Sequence, residues 1–411
     1  MWSTDSEDRS TFAWLLAPYT IEEFRRDFYE RAPLYIDRGY REDHFVRYFS
    51  LNELDRIIYG SELRTKDLRA VKEGALQRVD SYTRTKKKKK AEEKDPPSDI
   101  IDPDKLSALF AEGCTLVLDA MDQYSITLST LCRRLEAFFR HRLNINVYLT
   151  PAGSQGFAPH YDSHDTLILQ VRGTKRWRIY GSAFELPLDD QTFDKKTHRV
   201  GDVQREIDMK PGDVLYIPRG FVHEGVTNEQ LSLHLTLGLH PPRWTHVLHE
   251  AVNAIADREA AWRVSAPENW TDEQIQALLQ KLTHEEIRTA SNRIGQRFVT
   301  ERANMLDGQL QQLEALGSLS AGSTIARRHH VLYDLSADER STKLSFSNKT
   351  LVFGPKAAAL VGELTARSSA PMSALLQHDD NALSIVRKLI KEGFALQVLS
   401  AQELVDENIV A

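Results

Sequence analysis

Between Asn146 and about Pro241 the chain is cut by turns into short extended runs: NVYLT, DTLILQV, RWRIY, DVLYIP and LSLHLTLGL. Runs of this length and spacing predict an all-β sandwich or barrel. DTLILQV is apolar on both faces, as a strand covered on both sides must be. In LSLHLTLGL the leucines alternate strictly with Ser232, His234, Thr236 and Gly238, so those four share one face. If that face is inward, His234 points either into a pocket or into a satisfied core position.

The same region carries the chemistry. His160 and Asp162 are two apart, and on a strand residues i and i+2 point to one side, so an imidazole nitrogen and a carboxylate oxygen can meet one ion. His223 follows 61 residues after Asp162, beyond the turn-rich element PGDVLYIPRG. Two histidines and one carboxylate make a facial triad that leaves coordination positions open. Zinc hydrolases use the same donor types, so the triad alone does not name the metal. Lys175, thirteen residues after Asp162 on the strand that returns after Gly173, narrows the choice. A lysine inside a barrel is costly unless it meets an anion. The far carboxylate of 2-oxoglutarate supplies one, and the hydroxyls of Tyr148 and Thr166 can donate to it or nearby.

NVYLTPAGSQGFAPHYD, LQVRGTKRW and PGDVLYIPRGFVHE resemble, almost continuously, the ribosomal oxygenase branch of the JmjC cupin oxygenases. APYTIEEFRRDFYERAPLYI resembles that branch's N-terminal segment. The resemblance implies an α+β chain: a double-stranded β-helix (cupin/JmjC) barrel with N-terminal helical and strand elements over residues 1–242, a helical dimerisation domain over 243–325 and a winged-helix domain over 326–411. It implies Fe(II) on His160, Asp162 and His223, 2-oxoglutarate on Lys175, and O2 as the second co-substrate. It also places Tyr148 and Asn146 along the co-substrate and substrate sides of the pocket. Two positions depart from the histidine-hydroxylating members. Gly238 stands where they carry a serine that helps hold the target imidazole, and Val117 stands near a glutamine that contacts the target. A site without those polar groups would not hold an imidazole in the same way.

The rest of the chain fits around this core. At 411 residues, two or three domains are expected. TIEEFRRDFYERAPLYIDR predicts a helix followed by a short strand, and LSTLCRRLEAFFRHRLN (128–144) a helix packed on the barrel. RTKKKKKAEEKDPPS (84–98) reads as a solvated loop. After Pro242 the pattern turns helical, GSLSAGSTIARR reads as a linker, and residues from about 329 have the strand and helix spacing of a winged helix. His164 is expected to be no fourth ligand, since a facial arrangement needs three.

Composition excludes little but directs much. The net charge of −6 weighs against a nucleic-acid-coating protein, and Arg387, Lys388 and Lys391 are balanced by Asp379, Asp380 and Glu392, so direct nucleic-acid binding is not expected. MWSTDSEDRS is polar and acidic, unlike a signal peptide, and no apolar run approaches the roughly 20 residues of a membrane span. Cys114 and Cys132 make no disulfide framework or zinc site. The default is a cytoplasmic protein, nuclear or nucleolar in a eukaryote. Three functions are carried forward. One is a hydroxylase of an arginine or histidine class side chain in a ribosomal protein, working as a homodimer. The others are a JmjC-type N-methyl-lysine demethylase, which needs an aromatic cage, and a non-catalytic winged-helix/cupin regulatory module.

Overall fold

The computed structural model describes residues 6–84, 98–269, 271–328, 331–367 and 369–399. The lysine run 86–90 lies outside the described residues. The chain divides into two compact units, one of residues 4–138 and 142–240 and the other chiefly of residues from Pro241 onward.

The first unit is built on eleven described strands: β1 Leu34–Ile36, β2 Leu68–Lys72, β3 Ala75–Leu76, β4 Thr115–Leu118, β5 Arg142–Thr150, β6 Asp165–Arg172, β7 Lys175–Ser182, β8 Arg205–Met209, β9 Val214–Ile217, β10 Phe221–Thr227 and β11 Ser232–His240. Eight form a sheet in the order β1-β9-β6-β11-β5-β4-β2-β3, and β10-β7-β8 form a second sheet. Ile168, Leu215 and Ile217 of the large sheet pack with Trp177, Ile179, Ile207 and Met209 of the small one, so the two sheets face each other across a shared core. All the described pairings between these strands are antiparallel. In β6 every residue before Arg172 is buried, as its two-sided apolar pattern predicts. β11 lies between β5 and β6, with Leu233, Leu235, Leu237 and Leu239 all at 2% exposure or less.

Local chemistry explains how the flanking segments join this core. Thr20 and Glu23 form a reciprocal capping box, with Glu23 N donating to Thr20 Oγ1 (3.1 Å) and Thr20 N to Glu23 Oε2 (2.8 Å). The helical turns that follow lead to β1, which pairs with β9. Gly173 makes the turn into β7. Its φ is +64°, and a Cβ there would lie 1.8 Å from the Leu231 carbonyl oxygen, so glycine is required. That turn begins β7 at Lys175, whose side chain faces inward together with Trp177 and Ile179.

Several expectations need correction. The helix ends at Phe139 rather than Asn144, because Arg140 takes φ +58° and breaks the helical path. Leu143 therefore belongs to β5, opposite Leu239. β8 and β10 were absent from the expected strands. β8 turns only Ile207 and Met209 inward, while β10 carries His223, Glu224 and Gly225 where a core strand would show aliphatics. His160 and Asp162 do not lie on a regular strand either. His160 forms an isolated bridge with His223, and Asp162 precedes β6 by three residues.

The second unit begins with the helices Trp244–Arg258, Asp272–Leu279, His284–Glu301 and Gln309–Ala315. Beyond them lie the sheet Ser369–Pro371, Thr324–Arg327, Ala395–Gln397, the meander Asp334–Ala337, Thr342–Phe346, Lys349–Phe353, and the helices Ala357–Ala366 and Ala382–Lys391. They share a core that includes Phe346, Val361, Leu364, Val386 and Phe394. The expected linker GSLSAGSTIARR contributes the central strand of the first of these sheets, because Ile325, fully buried, is covered on both sides.

Candidate metal centre and co-substrate pocket

His160, Asp162 and His223 present one ligand atom each within 4.8 Å of one another. Backbone pairing makes this possible. His160 N donates to His223 O (3.1 Å) and His223 N to His160 O (2.8 Å), so the two imidazoles start side by side, with ring centroids 4.8 Å apart. Gly220 N donates to the Asp162 carbonyl (3.1 Å), which draws the carboxylate to the same point. Each histidine uses Nδ1–H on a main-chain carbonyl, Ala158 O for His160 (2.8 Å) and Phe221 O for His223 (3.0 Å). That fixes the tautomer and turns both Nε2 lone pairs toward Asp162, at 3.9 and 3.7 Å from its oxygens. Burial, aided by His160, pulls the His223 imidazole down to about 4, so it is neutral as a ligand must be. Burial raises the Asp162 carboxyl, but His164, His160 and His223 outweigh it and hold it below its usual value.

The triad stands at the mouth of a cavity lined by residues that include Thr115, Tyr148, Thr166, Lys175, Trp177, Gly225, His234 and Thr236. His160 and Asp162 also line an outer groove with Phe157, Pro159, Ser163, His164 and Phe193. Lys175 is 3% exposed, and its Nζ donates to Thr150 Oγ1 (3.2 Å). Among the described residues no carboxylate pairs with it, and burial pulls its ammonium down to about 7. Thr166 Oγ1 donates to the Ile217 carbonyl (3.4 Å), and burial pushes the Tyr148 phenol up.

The three positions expected on the target side separate. His234 lies deep in the inner cavity, stacked on Tyr148. Asn146 turns its Oδ1 to Ala120 N (2.9 Å) and Asn144 Nδ2 (3.0 Å) and does not line that cavity. Gly238 makes room for other side chains. A Cβ there would lie 2.7 Å from Asn144 Oδ1 and 2.8 Å from His164 Cδ2. His164 stacks on His240 at 4.8 Å, and His240 Nε2 donates to Asn144 Oδ1 (2.6 Å). A serine at 238 would overfill this packing, so Gly238→Ser should destabilise the protein by ~1–3 kcal/mol. Thermal unfolding reads this directly, and an unchanged midpoint would show that Asn144 and His164 yield freely.

Two residues at or beside the pocket were not legible beforehand. Arg69 forms a bidentate pair with Asp119 (2.7 and 2.6 Å) and lies over Phe157 at 5.7 Å. No local pattern links β2 to a residue fifty positions later. Gly225 directly follows PGDVLYIPRGFVHE, yet its role appears only in space: a Cβ would lie 2.7 Å from Lys175 Cε.

Two imidazoles and a carboxylate thus converge at a cavity between two antiparallel sheets, an arrangement that could hold a metal ion. Residues 121–247 match the JmjC domain family, so this chain carries a JmjC domain. It is similar to the Drosophila persimilis bifunctional lysine-specific demethylase and histidyl-hydroxylase NO66, at 34% identity over 233 residues (56% of this chain, 31% of the relative). It is also similar to mouse ribosomal oxygenase 2, at 30% identity over 267 residues (63% of this chain, 54% of the relative). The chain thus spans between about a third and about half the length of these curated relatives. A solved ribosomal oxygenase from Escherichia coli, YcfD, in complex with cobalt and 2-oxoglutarate, shares the fold. Its TM-score is 0.54 at 17% identity, covering 92% of this chain and 97% of that one. Among the described residues, no helix is long and apolar enough to cross a membrane.

Proposed function

We propose that this chain is an Fe(II)- and 2-oxoglutarate-dependent protein hydroxylase that modifies an arginine or histidine class side chain of a ribosomal protein. One observation carries the reading: a triad of two histidines and one carboxylate lines the same cavity as a buried lysine that has no carboxylate partner among the described residues. The donor set fits a facial 2-His-1-carboxylate iron site. When bound, Fe(II) supplies dioxygen activation, with oxidative decarboxylation of 2-oxoglutarate to succinate and CO2 and transfer of one oxygen atom to a C–H bond. The chain's own residues do the rest. The Ala158 and Phe221 carbonyls orient the two imidazoles, and Lys175 meets the far carboxylate of the co-substrate. The closed end of the cavity keeps water from the bound acid. Fe(II)-dependent succinate release from 2-oxoglutarate tests the reading, and protein that binds iron but neither 2-oxoglutarate nor turns it over would overturn it.

Demethylation would need an aromatic cage around open space. On the outer-groove side of the triad, Tyr161, Phe193, His198 and Phe184 pack on one another, with neighbouring centroids at 5.2–6.5 Å, and form no open cage there. That packing favours hydroxylation. Intact-mass analysis of ribosomal proteins separates the two, as a gain of one oxygen or a loss of one methylene. Residues 243–325 are assigned to dimerisation and 326–411 to a winged-helix domain. Trp244, 74% exposed on the first helix after the barrel, supports the former. Cys114 and Cys132 are both buried, which is compatible with a cytoplasmic or nuclear compartment.

The lysine also predicts a pH dependence. Its free ammonium sits near 7, and binding the far carboxylate requires the charged form. Affinity for 2-oxoglutarate is therefore full below about 7 and falls roughly tenfold per pH unit above it, until the raised value of the bound state is reached. Calorimetric titration with Mn(II) in place of iron, at about pH 6.5 and about pH 8.5, checks the sign. Equal affinities would contradict it.

A further inference from the structure

Lys175 is not the only donor stranded at the closed end of the cavity. His234, on β11, is 1% exposed, and neither of its ring nitrogens has a hydrogen-bond partner among the described residues. The imidazole lies flat on Tyr148, with centroids 4.8 Å apart and planes 10° apart, and meets Trp177 edge-on at 5.5 Å. Trp177 is 7% exposed, its Nε1–H is also without a partner, and Lys175 Nζ lies 5.4 Å from its ring centroid. All three residues line the inner cavity and none lines the outer groove. A buried imidazole with both nitrogens idle forfeits free energy unless something polar enters beside it. The entrant must also suit a lysine.

We propose that His234 is a second anchor for the far carboxylate of 2-oxoglutarate, a neutral imidazole donating one ring N–H to the carboxylate that Lys175 neutralises. The inference rests on the co-substrate reading above and deepens it. It moves His234 from the target side of the pocket to the co-substrate side. Burial and the nearby Lys175 hold this imidazole well below its usual value, so it offers one donor and adds no second charge. Tyr148 on its face and Trp177 against its edge restrict the ring, which makes the donor direction specific. Gly225 completes the arrangement by leaving the space through which the Lys175 stem passes.

The test uses the full chain with Mn(II), titrated calorimetrically with 2-oxoglutarate and with 2-oxopentanoate, which keeps the keto-acid end and lacks the far carboxylate. His234→Phe retains the stacking and removes the donor. It should weaken 2-oxoglutarate about 10- to 100-fold, the loss of a hydrogen bond to a charged group. Mn(II) and 2-oxopentanoate binding should stay within about twofold. His234→Gln, which restores an N–H donor, should recover most of the affinity and provides the reading if the phenylalanine variant does not fold. Unchanged 2-oxoglutarate affinity in His234→Phe would overturn the proposal, as would equal weakening of both acids. A glutamine variant no better than the phenylalanine would overturn it too. Wild-type protein that binds Mn(II) but no 2-oxoglutarate would instead overturn the co-substrate reading itself.

Discussion

Asp162→Ala should lower Fe(II)-dependent succinate release by on the order of 100-fold or more, together with a comparable loss of Fe(II) affinity. Changes one shell further out typically cost 10- to 100-fold, so removing a ligand should cost at least as much. Asp162 is the sole anion of the triad, and its oxygens stand 3.9 and 3.7 Å from the two Nε2 atoms. Without it, two imidazoles must hold a divalent ion alone. The fold should survive. The carboxylate side chain is 31% exposed, and the hydrogen bond that positions the segment runs from Gly220 N to the Asp162 main-chain carbonyl, which alanine retains. Metal content and succinate should therefore fall while the unfolding midpoint barely moves. Fe(II) affinity within about threefold of wild type would remove Asp162 from the ligand set.

The second large effect is expected at Lys175. Lys175→Met keeps most of the stem and deletes the charge. Breaking a buried charge pair costs about 3–5 kcal/mol, so 2-oxoglutarate affinity should fall by roughly 100-fold to a few thousand-fold. The protein without co-substrate should behave in the opposite way. Lys175 has no carboxylate partner among the described residues, and burial disfavours its charged form. Removing that ammonium should leave the unfolding midpoint unchanged or raise it. Fe(II) binding should hold, since Lys175 is not among the three ligand residues. Calorimetry and thermal unfolding on the same preparation separate these signatures. Equal loss of iron and co-substrate binding would show that the lysine supports the fold of the site rather than its ligand.

What could be read in advance was whatever leaves a short-range trace. Strict alternation in LSLHLTLGL and the double-faced run DTLILQV identified β11 and β6, because strand burial repeats every two residues. His160, Asp162, His223 and Lys175 were legible because ligand spacing and a lysine in an apolar strand are unusual within a few residues of sequence. β10 was hidden by the same chemistry. A strand that lines a polar cavity replaces aliphatics with His223, Glu224 and Gly225, and its periodicity disappears. Arg140 gave no warning that it would adopt a left-handed backbone and end the helix five residues before the expected end at Asn144.

By itself, the sequence determined the alternating strands, the identity and order of the three residues that gather in the triad, and the presence of an inward lysine. Only the tertiary structure decided which side chains meet. The bridge between His160 and His223 makes a ligand pair of residues far apart in the chain. The register of β11 against β5 sets His234 on Tyr148 and Gly238 opposite Asn144. The physical reason is one of range. Periodicity follows from the geometry of a single strand, whereas a pocket depends on the pairing register of several strands, and a one-residue slip would turn every one of these side chains to the other face.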